Sequence, residues 1–290
     1  MAKPAHLEPS KLGTKEYWDA LYTTEIANHA HDPTDTGTAW FDDSDASTKL
    51  VEFLEDNAQD LSLDESTTSF LDLGTGNGAL LFALRDAGWR GPMLGVDYSA
   101  QSVRFARRIE RARRRQEEEG NSGSNDRIEK EEDTHEAEVD IHFAEHDILH
   151  GAATTLLDVA RFPPAVADGW DVVLDKGTFD AISLSSETLD DGRRRVSEAY
   201  GARVLPLVRE GGLFLVTSCN WTEAELRSWF ADEGSGAVQE IPVPVPPTAE
   251  EPDFCTFEIA GRVEYRSFSF GGVKGQTIST LCFRKIRKSR

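Results

Sequence analysis

Leu71-Asp72-Leu73-Gly74-Thr75-Gly76-Asn77-Gly78-Ala79 closes a short apolar run, Ser69–Leu73, and opens a helical pattern over Ala79–Ala87. Glycine here lets the backbone turn tightly and approach a ligand, and the helix N-terminus that follows offers unpaired N–H donors. Asp97 stands 23 positions after Gly74, at the end of a second apolar run, Pro92–Val96. A carboxylate so placed accepts hydrogen bonds from two ribose hydroxyls. Strand, glycine turn, helix, strand and a second helix over Ala100–Arg115 are what a parallel sheet with crossover helices requires.

The alternation continues down the chain. Strands are predicted at Val139–Ala144, Trp170–Leu174 and Leu213–Ser218, with a helix over Leu189–Val208 that turns out at Gly211-Gly212. Arg262–Phe270 alternates apolar and polar residues, Gly271–Gly275 turns the chain, and Thr277–Lys285 forms a closing strand. The fold class is therefore α/β, a doubly wound, seven-stranded, mostly parallel sheet with an antiparallel C-terminal hairpin. One domain spans 1–290: a polar segment, 1–65, with a helix at Asp45–Asn57 covers the site, and 66–290 is the core. Residues 113–138 form a charged, mobile insertion in this reading, and the five prolines of Pro242–Pro252 exclude an inner strand there.

The composition narrows the function classes. The 290 residues carry 52 acidic and 31 basic side chains, a net charge of −21, with 39% hydrophobic residues. A surface so negative repels phosphate backbones and anionic membranes, which disfavours nucleic-acid and membrane partners and suits a basic protein. No apolar stretch reaches membrane-spanning length, and Met1–Lys11 has no signal-peptide core. Cys219, Cys255 and Cys282 are an odd set without metal or redox spacing, the pattern of reduced thiols in a cytoplasmic protein. The Arg-rich face Arg104–Arg115 fits a nuclear-localisation patch, but a solvated helix face balanced by the following acids is the favoured reading. His142, His146 and His150 lie on a strand running into a loop, where four-residue spacing shares no face, so no metal is expected.

The glycine loop alone admits two cofactors. An adenine dinucleotide and S-adenosylmethionine both fit Gly74, Gly76, Ala79 and Asp97. Three features favour the second. Asp72 would repel a pyrophosphate but reach an amino-acid end. Asp147-Ile148, after the third strand, offers a carboxylate to the adenine amine and an apolar residue to its face. The fourth strand runs into Asp175-Lys176-Gly177-Thr178-Phe179-Asp180, so aspartates stand at four successive strand ends, where open α/β sheets carry their sites.

These residues resemble the class I, seven-stranded, Rossmann-like S-adenosylmethionine-dependent methyltransferases. More narrowly, Asp175–Leu184 (DKGTFDAISL) and Leu12–Tyr22 (LGTKEYWDALY) look like the eukaryotic protein-lysine methyltransferases acting on translation elongation factor 1-alpha. Ser218-Cys219-Asn220-Trp221-Thr222 and Phe270–Thr277 (FGGVKGQT) continue the match. Gly37-Thr38-Ala39-Trp40-Phe41-Asp42 departs from the family's usual Gly-Glu before the Trp-Phe pair, so of these only Trp40 takes a role. The resemblance implies methyl transfer to a lysine of elongation factor 1-alpha by a monomer. Cofactor contacts would come from Trp18, Trp40, Asp72, Gly74, Gly76, Asn77, Gly78, Asp97, Tyr98, Asp147, Ile148 and Asp175. Asp175 would position the amine, Thr178 and Phe179 would line its channel, and Trp18, Trp40 and Trp221 would wall it. A methyltransferase for another protein or a small molecule, an NAD-dependent oxidoreductase and a non-catalytic binding module stay open as alternatives.

Overall fold

A computed structural model describes residues 4–121, 141–158, 166–231, 254–270 and 273–288. Its main sheet has seven strands: β1 (Phe70–Leu73), β2 (Met93–Asp97), β3 (Ile141–Glu145), β4 (Trp170–Lys176), β5 (Val208–Ser218), β6 (Phe254–Val263) and β7 (Ser279–Lys288). They lie in the order β3-β2-β1-β4-β5-β7-β6. The β3, β2, β1, β4 and β5 neighbours pair in parallel, whereas β7 enters between β5 and β6 antiparallel to both. Helices α1 (Lys15–His31), α2 (Ala46–Asp56), α3 (Ala79–Asp86), α4 (Ala100–Asn121), α5 (Thr178–Ser183), α6 (Ser197–Val204) and α7 (Glu223–Phe230) surround it. No helix among the described residues is long and apolar enough to cross a membrane.

Side-chain alternation along the strands builds two cores. Phe70, Val172, Leu174, Leu213 and Leu215 face one layer, packed with Tyr22, Leu50, Leu81 and Phe105 of α1–α4. Leu71, Leu73, Val173, Phe214 and Val216 face the other, with Tyr200, Leu226 and Phe230. Burial on both faces explains why the central strands read as continuous apolar runs. The register pairs Leu73 with Val96 and with Asp175, so the C-terminal ends of β1, β2 and β4 share one edge.

Three sequence expectations shift. The helix expected over Leu189–Val208 is only Ser197–Val204. Ahead of it Thr188–Leu189 and Arg194–Arg195 form a small ribbon around a turn at Asp190–Gly192, and Pro206 lies in a 3-10 turn behind it. Gly211 does not leave a helix but sits within β5, at a positive φ of 76°, where the register with β4 jumps. The C-terminal alternation divides: β6 starts at Phe254 and pairs with β7, while Ser267–Phe270 and Val273–Gln276 make a separate ribbon. Alternation reports a two-faced strand but not its partner. The helix Ala100–Arg115 extends to Asn121; the rest of the 113–138 insertion, the prolines 242–252, the residues 139–140 expected to open β3 and the turn residues 271–272 lie outside the described residues.

An aromatic cluster fixes the start of α5 beneath the shared edge. The Phe179 ring lies 4.9 Å from Phe230 and 5.5 Å from both Tyr200 and Trp229. One residue on, the Asp180 carboxylate accepts from the Ser218 hydroxyl and, at 2.8 Å, from the Cys219 amide, which ties α5 to the end of β5. Phe179→Ala should therefore cost about 3–5 kcal/mol of stability, the usual range for an emptied aromatic core site. Urea unfolding reads this, and a loss below about 1 kcal/mol would show that Phe179 is not a core residue.

Candidate active site

The strand ends open into a cavity of about 950 Å³, counting its open mouth. Its floor is built by the glycine loop. Gly74 turns at φ +66°, and a Cβ there would sit 2.0 Å from the Thr178 hydroxyl. Only a missing side chain lets Thr178 Oγ1 donate to the Leu73 carbonyl at 2.6 Å and join the end of β1 to α5. Thr178 and Gly74 both line the cavity.

One flank is carried by β2 and the loop after β3. Asp97, only 6% exposed, lines the cavity, while its carboxylate accepts from the amides of Gly76 (3.1 Å) and Ser99 (2.9 Å). Burial pushes its pKa up. Tyr98, Asp147 and Ile148 share this flank. The Asp147 carboxylate accepts from the amides of Leu149 and His150, and its Oδ2 lies 2.9 Å from His150 Nδ1. His150 Nε2 in turn meets Glu187 at 2.8 Å, so the ring bridges two loops across the rim. The hydrogen bond to Asp147 raises the His150 pKa.

The opposite flank comes from the N-terminal segment. Trp18 donates to the Leu12 carbonyl at 2.8 Å, and its ring lies 5.1 Å from Trp40; both indoles and Tyr22 face the cavity. Lys176, the one Lys or Arg among the described lining residues, donates to the Trp40 carbonyl at 2.9 Å. Burial lowers its pKa. The Trp40 Nε1 donor is buried with no hydrogen-bond partner among the described residues.

The structure thus gathers Trp18, Trp40, Gly74, Asp97, Tyr98, Asp147, Ile148 and Thr178 around one cavity. It does not bring the others to the wall. Asp72 is buried in β1, where burial raises its pKa to about 6. Asp175 is 1% exposed and turned under the loop: it accepts from the amides of Thr178 (2.8 Å) and Phe179 (3.0 Å) and from the Tyr200 hydroxyl (2.6 Å). Burial pushes its pKa up to about 7. A strand-end carboxylate followed by a helix finds free amides nearer than any ligand, which is why its expected place at the amine is not the place it takes. Phe179 and Trp221 pack in the aromatic core instead of lining a channel. Gly76 and Gly78 stand behind the wall, close to Tyr22 and Phe143, and the Asn77 side chain bonds to the Thr36 carbonyl and the Ala79 amide. The sequence gives no site role to Tyr22, Lys176 or Glu187, and considers His150 only as a metal ligand that its spacing disfavours. Lys176 and Tyr22 stood inside the two quoted motifs, which was the available signal.

Comparison with known proteins agrees with this geometry. The family model described as a methyltransferase domain matches residues 64–241. The protein-lysine N-methyltransferase EFM4 of Saccharomyces cerevisiae is 35% identical over 285 residues, covering 98% of this chain and 99% of that protein. EEF1A lysine methyltransferase 2 of Homo sapiens is 31% identical over 278 residues, covering 96% of this chain and 88% of that protein. Among solved structures, magnesium protoporphyrin IX methyltransferase from Synechocystis PCC 6803 with bound SAM shares the fold, at a TM-score of 0.50 and 14% identity over 97% of this chain and 99% of that one. The chain belongs to the protein-lysine N-methyltransferase family that holds the Saccharomyces cerevisiae and Homo sapiens proteins.

Proposed function

We propose that the protein methylates a lysine of translation elongation factor 1-alpha, with S-adenosylmethionine as the methyl donor. The observation that carries this reading is similarity over 96–98% of the chain to proteins named for lysine methylation, one of them for EEF1A. The residues present suit the cofactor. The cavity offers a buried carboxylate on one flank, Asp97, and on the other a cation, Lys176, beside the Trp18 and Trp40 rings. Such a pairing fits a ribose at one end and an amino-acid carboxylate at the other. Asp97 would hold the ribose hydroxyls, and Tyr98 and Ile148 would flank the adenine. Gly74, Thr178, Trp18, Trp40 and Lys176 would surround the methionine part.

The bound cofactor supplies an already activated methyl group, so the chain's task is to align, dehydrate and deprotonate the amine. At pH 7 only about one free lysine in 2,500 is neutral. A carboxylate beside the amine would hold its proton, so the burial of Asp175 away from the cavity favours proton loss to solvent. Asp175 becomes a positioning residue that fixes the Thr178 and Phe179 amides and hence the cavity floor. The net charge of −21 suits a basic protein partner over nucleic acid.

Three outcomes test this reading. Labelled S-adenosylmethionine should transfer label to recombinant elongation factor 1-alpha at one lysine, and lysine-to-arginine replacement there should abolish it; labelling of a different protein in whole lysate would displace the assignment. Asp97→Ala should weaken binding of the demethylated cofactor by about 1.5–3 kcal/mol in calorimetry, the worth of charged hydrogen bonds; unchanged affinity would remove Asp97 from the site.

The third outcome is a pH dependence. Asp175 and Asp72 hold protons in the folded state up to about pH 7 and about pH 6, against a model-peptide carboxylate value of 3.8. Their contribution to stability is thus full below about pH 4 and is lost as pH rises to about 7. Asp175→Asn, neutral throughout, should flatten the fall in melting temperature across that window. A mutant slope equal to that of the wild type would contradict the buried, protonated Asp175.

A further inference from the structure

The connection between α1 and α2, residues 32–45, contains no helix or strand except a 3-10 turn at Asp42–Ser44, yet it supplies the Trp40 wall of the cavity. It is tied down from below by two side chains of the cofactor cradle. Asn77, in the glycine loop after β1, donates from Nδ2 to the Thr36 carbonyl at 2.9 Å. Lys176, at the end of β4, donates from Nζ to the Trp40 carbonyl at 2.9 Å. The Asn77 side chain is 8% exposed and does not line the cavity, so its place is explained by these ties and not by a ligand.

The tied segment needs holding. Phe41, directly after Trp40, has φ +63°, a left-handed conformation that a bulky aromatic residue rarely adopts. Its ring lies over Gly177, where an added Cβ would come within 3.3 Å of it, so Lys176-Gly177 holds the backbone before Phe41 and the ring after it. Thr38 Oγ1 donates to Glu25 at 2.8 Å, and Ser44 Oγ meets Thr277 Oγ1 at 2.8 Å, which fixes the two shoulders of the segment.

We propose that Asn77 and Lys176 are positioning residues that hold the Trp40 wall, shared by the methionine part of the cofactor and the entering target lysine, on the cofactor cradle. This rests on the reading of the cavity as a lysine methyltransferase site. The glycine loop that would meet the cofactor also carries Asn77, and the strand end beside it carries Lys176. Ordering either by cofactor orders the carbonyls of Thr36 and Trp40 and the aromatic wall between them. Cofactor and protein target then bind cooperatively, and by linkage each raises the other's affinity by the same factor.

Asn77→Asp separates the tie from the other duty of the residue. Its carboxylate still accepts from the Ala79 amide and suits a helix N-terminus, but it can no longer donate to the Thr36 carbonyl. In the free enzyme, Asn77→Asp should speed amide hydrogen exchange over residues 36–41 about tenfold, in the way a locally loosened segment does, with the melting curve retained. Target KM should rise about five- to tenfold with kcat changed less, and the ratio of target affinities with and without demethylated cofactor should fall to about one. Wild-type exchange and wild-type target KM in Asn77→Asp would overturn the proposal. Should that variant not fold, Lys176→Met and Lys176→Arg read the second tie: faster exchange over residues 36–41 in Met, restored in Arg, supports it, and wild-type exchange in both overturns it. Exchange is measured without any substrate, so its outcome is distinct from a failure of elongation factor 1-alpha to be methylated.

Discussion

Thr178 Oγ1 reaches the Leu73 carbonyl at 2.6 Å through the space that Gly74 leaves by having no side chain. This contact locks together the two central strand ends, β1 and β4, whose register already pairs Leu73 with Asp175. From it follow the height of the cavity floor, the direction of α5 and the burial of Asp175 beneath the turn. The cost of burying that carboxylate is offset by two backbone amides and the Tyr200 hydroxyl. A buried polar network of this kind tolerates few alternative arrangements, which suits a surface that must align an amine and a methyl group.

The cavity divides by charge. Asp97 is held by the amides of Gly76 and Ser99 and lines the cavity. On the other flank, Lys176 and Trp40 line the same space. An elongated molecule with hydroxyls at one end and a carboxylate at the other satisfies both. The apolar walls between them, Leu73, Val96 and Ile148 among others, exclude water from the middle.

The sheet was legible because its central strands are buried on both faces and its glycine loop marks the first crossover. Phe70–Leu73, Met93–Asp97 and Trp170–Lys176 lie within a few residues of their expected places. What the sequence did not carry is pairing and direction. The helix expected over Leu189–Val208 overruns at both ends, because 3-10 turns at Asp190–Gly192 and Leu205–Leu207 bound the helical part. The site shows the same limit. Asp97 lines the cavity, where its spacing from the glycine loop puts it at the edge, and Tyr98, implied by the resemblance alone, lies beside it. Spacing places a Cα but not a side chain, so it does not report that backbone groups claim Asp175, from the turn just after it, and Asn77, from the N-terminal segment 41 residues before it. Tyr22 reaches the cavity through the packing of the N-terminal segment onto the strand ends, and Lys176 reaches it by closing β4 there.

The most direct measurement is a crystal structure of the protein grown with the demethylated cofactor. The expected result is density in the strand-end cavity, with both ribose hydroxyls within hydrogen-bonding distance of Asp97, the adenine beside Tyr98 and Ile148, and the amino-acid end toward Trp40 and Lys176. A ligand bound elsewhere, or one in this cavity with its ribose away from Asp97, would contradict it.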